Sequence, residues 1–224
     1  MSADCVTLAM LQQRLRAAST PDQAPPRLLA VGKTQPAAAL RGLAACGQRH
    51  FGENYVQEAL AKQRELADLP LVWHLIGPLQ SNKCREVAQH FDWLESLDRA
   101  KLVPLLAAAR PADKAPLNVL IQVNVDDEAN KHGCTPAEVG ELAMLVAAQP
   151  RLCLRGLMAI PAPWPERSRR IAAFERMHAL FAQLRQRHAG VDTLSMGMSD
   201  DFELALACGA TEVRIGSALF GARV

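Results

Sequence analysis

The chain of 224 residues is half hydrophobic and 21% charged, a balance typical of a globular protein with a substantial core. Its formal net charge is +2 and its arginines are scattered, so the charge does not indicate a nucleic-acid-binding protein. No signal peptide or membrane span is predicted. The N-terminus lacks a basic region followed by an apolar core, and the longest apolar run, residues 69–79, is interrupted by Pro70, His74 and Pro78.

The six cysteines form no CxxC pair, and no histidine lies at zinc-ligand spacing from them. They are Cys5, Cys46, Cys84, Cys134, Cys153 and Cys208. Such scattered cysteines are typical of reduced, mostly buried thiols. We therefore expect six free thiols in a cytoplasmic protein and no metal site.

The chain alternates between short apolar strands and helical segments after a leading helix at residues 3–18. Asn54, Asp98 and Thr135 are predicted to cap or open three of the helices. The predicted strands are 27–32, 49–51, 71–75, 92–95, 117–125, 152–158, 192–195 and 212–215. The predicted helices that follow them are 36–46, 55–67, 82–90, 98–110, 135–149, 166–188, 199–208 and 217–220.

Strict alternation of strand and helix predicts parallel strands with helical crossovers. Eight such units predict a closed (β/α)8 TIM barrel with an extra N-terminal helix, and a doubly wound open sheet is the alternative. No GxGxxG follows the first strand, which argues against a dinucleotide-binding fold. Because no linker or change of composition interrupts the chain, residues 1–224 are expected to form a single domain.

Active sites of such barrels lie at the C-terminal ends of the strands, and polar residues gather at the predicted ends. They include Lys33, Glu53, Asn54, His74, Asn124, Asp126, Ser195, Ser199, Arg214 and Ser217, with Met158 beside them. The loops after the last two strands read SMGMS (195–199) and RIGS (214–217). Glycines and hydroxyls at such loops are typical of phosphate sites, although ordinary Gly/Ser turns have the same composition.

A strand-end lysine beside a phosphate site indicates two chemistries. One is an aldolase-type Schiff base with a sugar phosphate, and the other is a Schiff base with pyridoxal phosphate. Both need a neutral amine, whereas a free lysine has a pKa of about 10.4. Burial and nearby positive charge lower such a pKa, and Arg214 can supply that charge.

Six motifs together resemble the pyridoxal phosphate homeostasis protein family, and the resemblance covers nearly the whole chain. They are AVGK (30–33), FGENYVQE (51–58), WHLIGPLQSNK (73–83), RGLMAIP (155–161), LSMGMSDD (194–201) and VRIGS (213–217). Ser217 stands where threonine is commoner in the family, and the hydroxyl is kept.

The resemblance implies a barrel similar to the N-terminal domain of bacterial alanine racemase. It implies that Lys33 holds pyridoxal 5′-phosphate as a Schiff base, that Arg214 faces the pyridine nitrogen, and that Asn54 and Met158 line the ring. The implied phosphate-binding residues are Ser195, Met196, Gly216 and Ser217. Members of the family are cytoplasmic, act in vitamin B6 homeostasis and lack an established catalytic activity.

The residues themselves favour a carrier over an enzyme. A racemase of this fold needs a second acid or base opposite the lysine, usually a tyrosine, and Tyr55 is the single tyrosine of the chain. An arginine beside the pyridine nitrogen leaves that nitrogen unprotonated and weakens the ring as an electron sink. The alternatives left open are a low-activity amino-acid racemase, a sugar-phosphate aldolase and a scaffold.

The sequence leaves the roles of two further residues undecided. His74 is either a general acid–base at the barrel mouth or a hydrogen-bonded structural residue. Lys83 is either a second amine that receives cofactor or an ordinary solvated lysine. The partners expected are the cofactor and pyridoxal phosphate-dependent apo-enzymes, with no nucleic acid and no membrane, and a monomer is expected.

Overall fold

The computed structural model describes residues 2–19, 24–128 and 131–221. These residues form eight parallel strands that pair in chain order into a closed barrel. The strands are β1 (Arg27–Val31), β2 (His50–Glu53), β3 (Val72–Leu75), β4 (Trp93–Leu97), β5 (Leu117–Val123), β6 (Leu152–Ala159), β7 (Thr193–Ser195) and β8 (Glu212–Ile215).

Helices connect the strands on the outside of the barrel. They are α1 (Ala3–Ala18), α2 (Ala37–Ala45), α3 (Val56–Glu65), α4 (Cys84–His90), α5 (Leu102–Ala109), α6 (Val139–Ala147), α7 (Arg167–Arg187), α8 (Phe202–Ala207) and α9 (Ser217–Phe220). Short 3-10 turns, Ser81–Lys83 and Pro136–Glu138, precede α4 and α6.

The predicted (β/α)8 barrel with an extra N-terminal helix is confirmed. Strand β8 pairs with β1 over four residue pairs, from Arg27 with Glu212 to Ala30 with Ile215. This pairing closes the sheet, so the alternative of an open, doubly wound sheet is wrong. The residues of β4 and β8 are buried throughout, as expected of parallel strands covered on both faces.

Two predicted helix caps are wrong. Helix α3 begins at Val56 after Tyr55, whose side chain makes no capping hydrogen bond, and Asn54 lies one residue further back. Helix α5 begins at Leu102, beyond the reach of a cap at Asp98. At Thr135 the prediction is confirmed, because Thr135 and Glu138 form a capping box that opens the turn before α6.

A disulfide joins Cys5 of α1 to Cys46 at the end of α2, so the expectation of six free thiols is wrong for this pair. The two cysteines are 41 residues apart, and no short motif marks them. Packing of α1 beside α2 brings their Cα atoms to 5.1 Å. The other four cysteines are free thiols, of which Cys84 and Cys134 are buried.

Candidate functional site

A cavity of about 260 Å³ opens at the C-terminal end of the barrel, where the sequence predicts the site. Five of the eight predicted cofactor-binding residues line it: Lys33, Asn54, Arg214, Gly216 and Ser217. The remaining lining is partly apolar and partly polar. It consists of Val31, Gln35, Ile76, Ile160, Met198, Ser199, Asp200, Phe220 and Gly221.

Lys33 lies in the turn directly after β1, half-buried at the edge of the cavity. Its neighbour Thr34 has φ of 64°, in the left-handed region that β-branched residues rarely adopt. The backbone N–H of Thr34 donates to Glu58 Oε1 at 2.7 Å. On the other side of the lysine, the carbonyl of Gly32 accepts a hydrogen bond from Lys62 Nζ at 2.7 Å.

Arg214 reaches the cavity from inside the barrel, where it is 4% exposed. Its Nη2 donates to the carbonyl of Ala159 at 2.7 Å, and its Nη1 donates to Ser195 Oγ at 2.8 Å. Ser195 Oγ in turn donates to Glu95 Oε2 at 2.8 Å. The guanidinium is therefore fixed at two nitrogens while it faces the cavity.

The hydrogen bonds continue from Glu95 toward the other end of the barrel. Glu95 Oε1 lies 2.6 Å from His74 Nδ1, and His74 Nε2 lies 2.9 Å from His50 Nδ1. We call the five residues His50, His74, Glu95, Ser195 and Arg214 the interior chain. His74 is fully buried within it, so its position is that of a hydrogen-bonded structural residue and not of an acid–base at the mouth.

Burial sets the protonation of the interior chain. It lowers the pKa of His74 to about 4 and that of His50 to about 3, which keeps both rings neutral at pH 7. It raises the pKa of Glu212, which neighbours the chain, to about 7, with the charge of Glu95 as the second cause. Burial likewise raises the pKa of Glu95, and the nearby Arg214 opposes that rise.

One atom each of His74, Glu95 and Glu212 lies within 4.8 Å of the other two, a spacing that a metal ion can bridge. Both ring nitrogens of His74 are already within hydrogen-bond distance of Glu95 and His50. Glu212 Oε2 accepts a hydrogen bond from Arg27 Nη1 at 3.0 Å. His74 and Glu95 are thus already hydrogen-bonded within the interior chain, and Glu212 is paired with Arg27.

Three predicted cofactor-binding residues lie deeper than the cavity lining. Met158 packs in the barrel interior with Trp93 and Leu120, and Ser195 belongs to the interior chain. Met196 is buried in the main core, and its backbone N–H donates to the carbonyl of Glu212 at 3.2 Å. Their direct contact with a cofactor stays a prediction. The same SMGMS motif supplies Met198 and Ser199 to the lining. Ser199 was among the residues expected at the strand ends, although neither residue was among the eight predicted to bind the cofactor.

Two glycines shape the lining in different ways. A Cβ on Gly77 would lie 2.1 Å from the carbonyl oxygen of Asn54, so only glycine allows the close approach that positions Asn54. A Cβ on Gly216 would approach Val31 no closer than 3.5 Å, and Gly216 has φ of −117°. The fold itself therefore accepts a side chain at Gly216, and its absence leaves the cavity open beside the start of α9.

Tyr55 and Lys83 lie apart from this constellation. Tyr55 is 62% exposed, and the half-buried Lys83 pairs with Glu86 at 3.1 Å. Neither is among the described residues that line the cavity. In the described ranges, no helix has the length and apolar character needed to cross a membrane.

Comparison with known proteins identifies the family. Residues 6–224 match the family model "alanine racemase, N-terminal domain". The chain is 55% identical over 226 residues to the pyridoxal phosphate homeostasis protein of Pseudomonas aeruginosa, which covers 100% of this chain and 97% of that protein. The chain belongs to the pyridoxal phosphate homeostasis protein family. The family expected from the sequence motifs is thus confirmed.

A second relative and a solved structure agree with this membership. The homeostasis protein of Escherichia coli K12 is 52% identical over 222 residues, with 96% of this chain and 95% of that protein covered. The structure of PipY from Synechococcus elongatus with PLP bound aligns with a TM-score of 0.83 at 38% identity, covering 97% of this chain and 100% of PipY. Alanine racemase from Corynebacterium glutamicum shares the barrel alone, with a TM-score of 0.71 at 20% identity over 61% of its length.

The cavity of this family member has the donors and acceptors that a phosphorylated aldehyde needs. Lys33 offers an amine, and Ser199 and Ser217 offer hydroxyls. Asn54 Oδ1 is buried and has no hydrogen-bond partner among the described residues, although Asn54 lines the cavity. A buried oxygen without a partner is costly, and a ligand that donates to it would remove that cost.

Proposed function

We propose that this protein binds pyridoxal 5′-phosphate in the cavity, with Lys33 as the point of covalent attachment, and holds the cofactor for intracellular vitamin B6 homeostasis. The observation that carries the proposal is the meeting of Lys33, Arg214 and the start of α9 on one cavity. The names of the curated relatives and the PLP-bound PipY structure support it.

Each lining residue has a distinct task in this proposal. Gly216 and Ser217 receive the phosphate at the start of α9, where the first N–H groups of a helix lack intrahelical acceptors. Arg214 faces the pyridine nitrogen, and Asn54 lies beside the ring. Met158, Ser195 and Met196, the other residues that the family resemblance implies, lie deeper in the barrel, where Ser195 Oγ accepts a hydrogen bond from Arg214. We propose that they too contact the bound cofactor.

Lys33 performs the one covalent step. Pyridoxal phosphate supplies an aldehyde that condenses with a lysine amine to a Schiff base and one molecule of water. The amine must be neutral to attack, and the buried cation of Arg214 on the same cavity favours the neutral form. The apolar lining, which includes Val31, Ile76 and Phe220, limits water around the reacting atoms.

We further propose that the protein is a carrier and not an efficient amino-acid enzyme. The single tyrosine, Tyr55, is exposed and lies off the cavity lining, so its hydroxyl is poorly placed to act opposite Lys33. Arg214 cannot readily protonate the pyridine nitrogen, which weakens carbanion chemistry on the ring. Delivery to apo-enzymes, a cytoplasmic location, a monomeric state and a single domain over residues 1–224 stay predictions.

Absorbance titration with pyridoxal phosphate tests the binding proposal. The wild-type protein should develop one equivalent of a yellow Schiff-base band, and Lys33→Ala should lose it. Lys83→Ala is the matched control, because Lys83 lies off the cavity lining, and it should titrate like wild type. A full band in Lys33→Ala would contradict the proposal.

Chiral chromatography of alanine incubated with the loaded protein tests the carrier proposal. We expect no racemisation above that of free pyridoxal phosphate. Racemisation that is abolished by both Lys33→Ala and Tyr55→Phe would instead support a low-activity racemase.

A further inference from the structure

We propose that Glu58 and Lys62 are positioning residues that fix the peptide groups on both sides of Lys33 and so hold its amine at the cavity. The proposal rests on the function proposed for Lys33, but it concerns the backbone around this residue and not the chemistry of its amine. Neither residue lines the described cavity, and both act through Gly32 and Thr34.

The two side chains come from one face of α3. Glu58 and Lys62 are four residues apart, a spacing at which helical side chains are neighbours, and their charged groups lie 2.6 Å apart. Lys62 Nζ donates to the carbonyl of Gly32, and Glu58 Oε1 accepts from the N–H of Thr34, each at 2.7 Å. The ion pair therefore holds the backbone by hydrogen bonds one residue before and one residue after Lys33.

The conformation of Thr34 explains why the backbone at this turn needs to be held. Its φ of 64° is a left-handed conformation that disfavours β-branched residues. The hydrogen bond from the Thr34 N–H to the Glu58 side chain stabilises the peptide group in this conformation, next to Lys33.

The surroundings of Lys62 hold its ammonium group in one place. Its side chain is 6% exposed, and its three ammonium protons have three acceptors: the Gly32 carbonyl, Glu53 Oε1 and Glu58 Oε1. Glu53 is fully buried, and a Cβ on Gly32 would lie 2.7 Å from its Oε1. A side chain at Gly32 would therefore displace the Glu53 carboxyl group from its position beside the Lys62 ammonium.

A simpler explanation is that these charges only anchor α3 to the barrel. Buried ion pairs are seldom the most stable solution, since apolar residues of similar size often stabilise a fold as well or better. An anchoring role would not require hydrogen bonds to the two peptide groups that flank Lys33. The two explanations predict different changes in affinity for a ligand that reacts with Lys33 and for a ligand that does not.

Two ligands distinguish the positioning role from the anchoring role. Pyridoxal 5′-phosphate condenses with Lys33, whereas pyridoxine 5′-phosphate has an alcohol in place of the aldehyde and reports on the rest of the cavity alone. Glu58→Leu removes the acceptor for Thr34, and Glu58→Gln keeps an oxygen there. Glu65→Gln, an exposed position at the end of the same helix, is the control.

We expect Glu58→Leu to slow Schiff-base formation and weaken pyridoxal phosphate binding about tenfold, the loss that corresponds to one hydrogen bond. Its affinity for pyridoxine phosphate should stay within about twofold of wild type, since the phosphate and ring contacts are untouched. Glu58→Gln and Glu65→Gln should resemble wild type with both ligands.

Equal losses for both ligands, or no loss for either, would overturn the positioning role. Failure of the wild-type protein to bind either ligand would instead overturn the proposed function. Amide hydrogen exchange in the wild-type protein gives an independent test that needs no variant. Thr34 is exposed, so slow exchange of its N–H is expected from the bond to Glu58, and exchange at the rate of an unstructured peptide would overturn the proposal.

Discussion

The two sides of the cavity hold their charged residues in opposite ways. On one side, Lys33 is held by its backbone, because Glu58 and Lys62 bond the peptide groups that flank it. On the other side, Arg214 is held by its side chain, because Ser195 and the Ala159 carbonyl bond two guanidinium nitrogens. The difference suits the two tasks: the backbone contacts fix the position from which the Lys33 amine reaches the cavity, whereas a guanidinium that orients a ring must itself be fixed.

The two sides also differ in their electrostatics. Beneath Lys33, a buried ammonium lies between two carboxyl groups, those of Glu53 and Glu58. Beneath Arg214, the interior chain contains two histidines that burial keeps neutral and the buried carboxyl group of Glu95, with the buried carboxyl group of Glu212 beside it. The stability of the first side should therefore depend on one ion cluster, and that of the second on a chain of hydrogen bonds between buried polar groups.

The largest effect should come from breaking the ion cluster beneath Lys33. Lys62→Met keeps most of the side-chain volume but leaves two carboxyl groups without their cation, so the free energy of unfolding should fall by about 3–5 kcal/mol. Urea unfolding measures this loss. Lys83→Met removes a partly exposed pair with Glu86 and should cost less than about 1 kcal/mol. Equal losses in the two variants would show that the cluster is not structurally important.

A smaller effect should follow from a mismatch in the interior chain. Glu95→Gln keeps the shape but places an amide NH₂ against either His74 or Ser195, so the free energy of unfolding should fall by about 1–3 kcal/mol. Because Arg214 then loses its fixed position, pyridoxine phosphate binding should weaken as well, in contrast to Glu58→Leu. Unchanged affinity for pyridoxine phosphate would mean that the interior chain does not position Arg214.

The pH dependence of stability offers a third test, through Glu53. Burial raises the pKa of Glu53 to about 7 despite its bond to Lys62, so the folded protein binds a proton that the unfolded chain releases near its ordinary value of 4.5. Glu53 therefore favours folding below about pH 4.5, and this contribution is lost as the pH rises toward about 7.

Glu53→Gln removes that contribution. Between these pH values the variant's free energy of unfolding should rise with pH relative to wild type by about 1.4 kcal/mol per pH unit, which corresponds to one proton. Urea unfolding at several pH values measures the two slopes. Parallel slopes would show that Glu53 is ionised throughout this range.

The smallest effect on stability should come from Gly216→Ala. The atoms nearest to the new methyl group belong to Val31 and lie no closer than 3.5 Å, so the free energy of unfolding should change by less than about 0.5 kcal/mol. Pyridoxine phosphate affinity should nevertheless fall about tenfold, because the methyl group crowds the start of α9, where the phosphate is proposed to bind. Calorimetric titration measures the affinity. Gly140→Ala on α6 is the control and should leave the affinity unchanged. Unchanged affinity in Gly216→Ala would show that the phosphate binds elsewhere.

Sequence reasoning succeeds where one residue and its place on a strand are sufficient. The alternation of strands and helices predicts the barrel, and strand ends alone place Lys33, Arg214 and Ser217 on one cavity. Sequence reasoning fails where a contact depends on how two distant segments pack together. The Cys5–Cys46 disulfide depends on how α1 lies against α2, and the hydrogen bond from Lys62 to the Gly32 carbonyl depends on the rotation of α3 against β1.

The interior chain is an intermediate case. The position of His74 near the end of β3 leaves open, from the sequence, whether it is an acid–base at the mouth or a hydrogen-bonded structural residue. In the structure its side chain is buried inside the barrel beside Glu95, which supports the second role. Polar residues such as His50, His74 and Glu95 on successive strands were the available signal. Without strand registers, that signal does not show which of them meet.

Borohydride reduction followed by peptide mass spectrometry tests the central claim most directly. The purified protein is loaded with pyridoxal phosphate, reduced and digested, and the phosphopyridoxyl mass is located along the chain. We expect the adduct on Lys33 at close to one equivalent. An adduct spread over surface lysines, or concentrated on Lys83 with Lys33 unmodified, would contradict the assignment of Lys33 as the cofactor-holding residue.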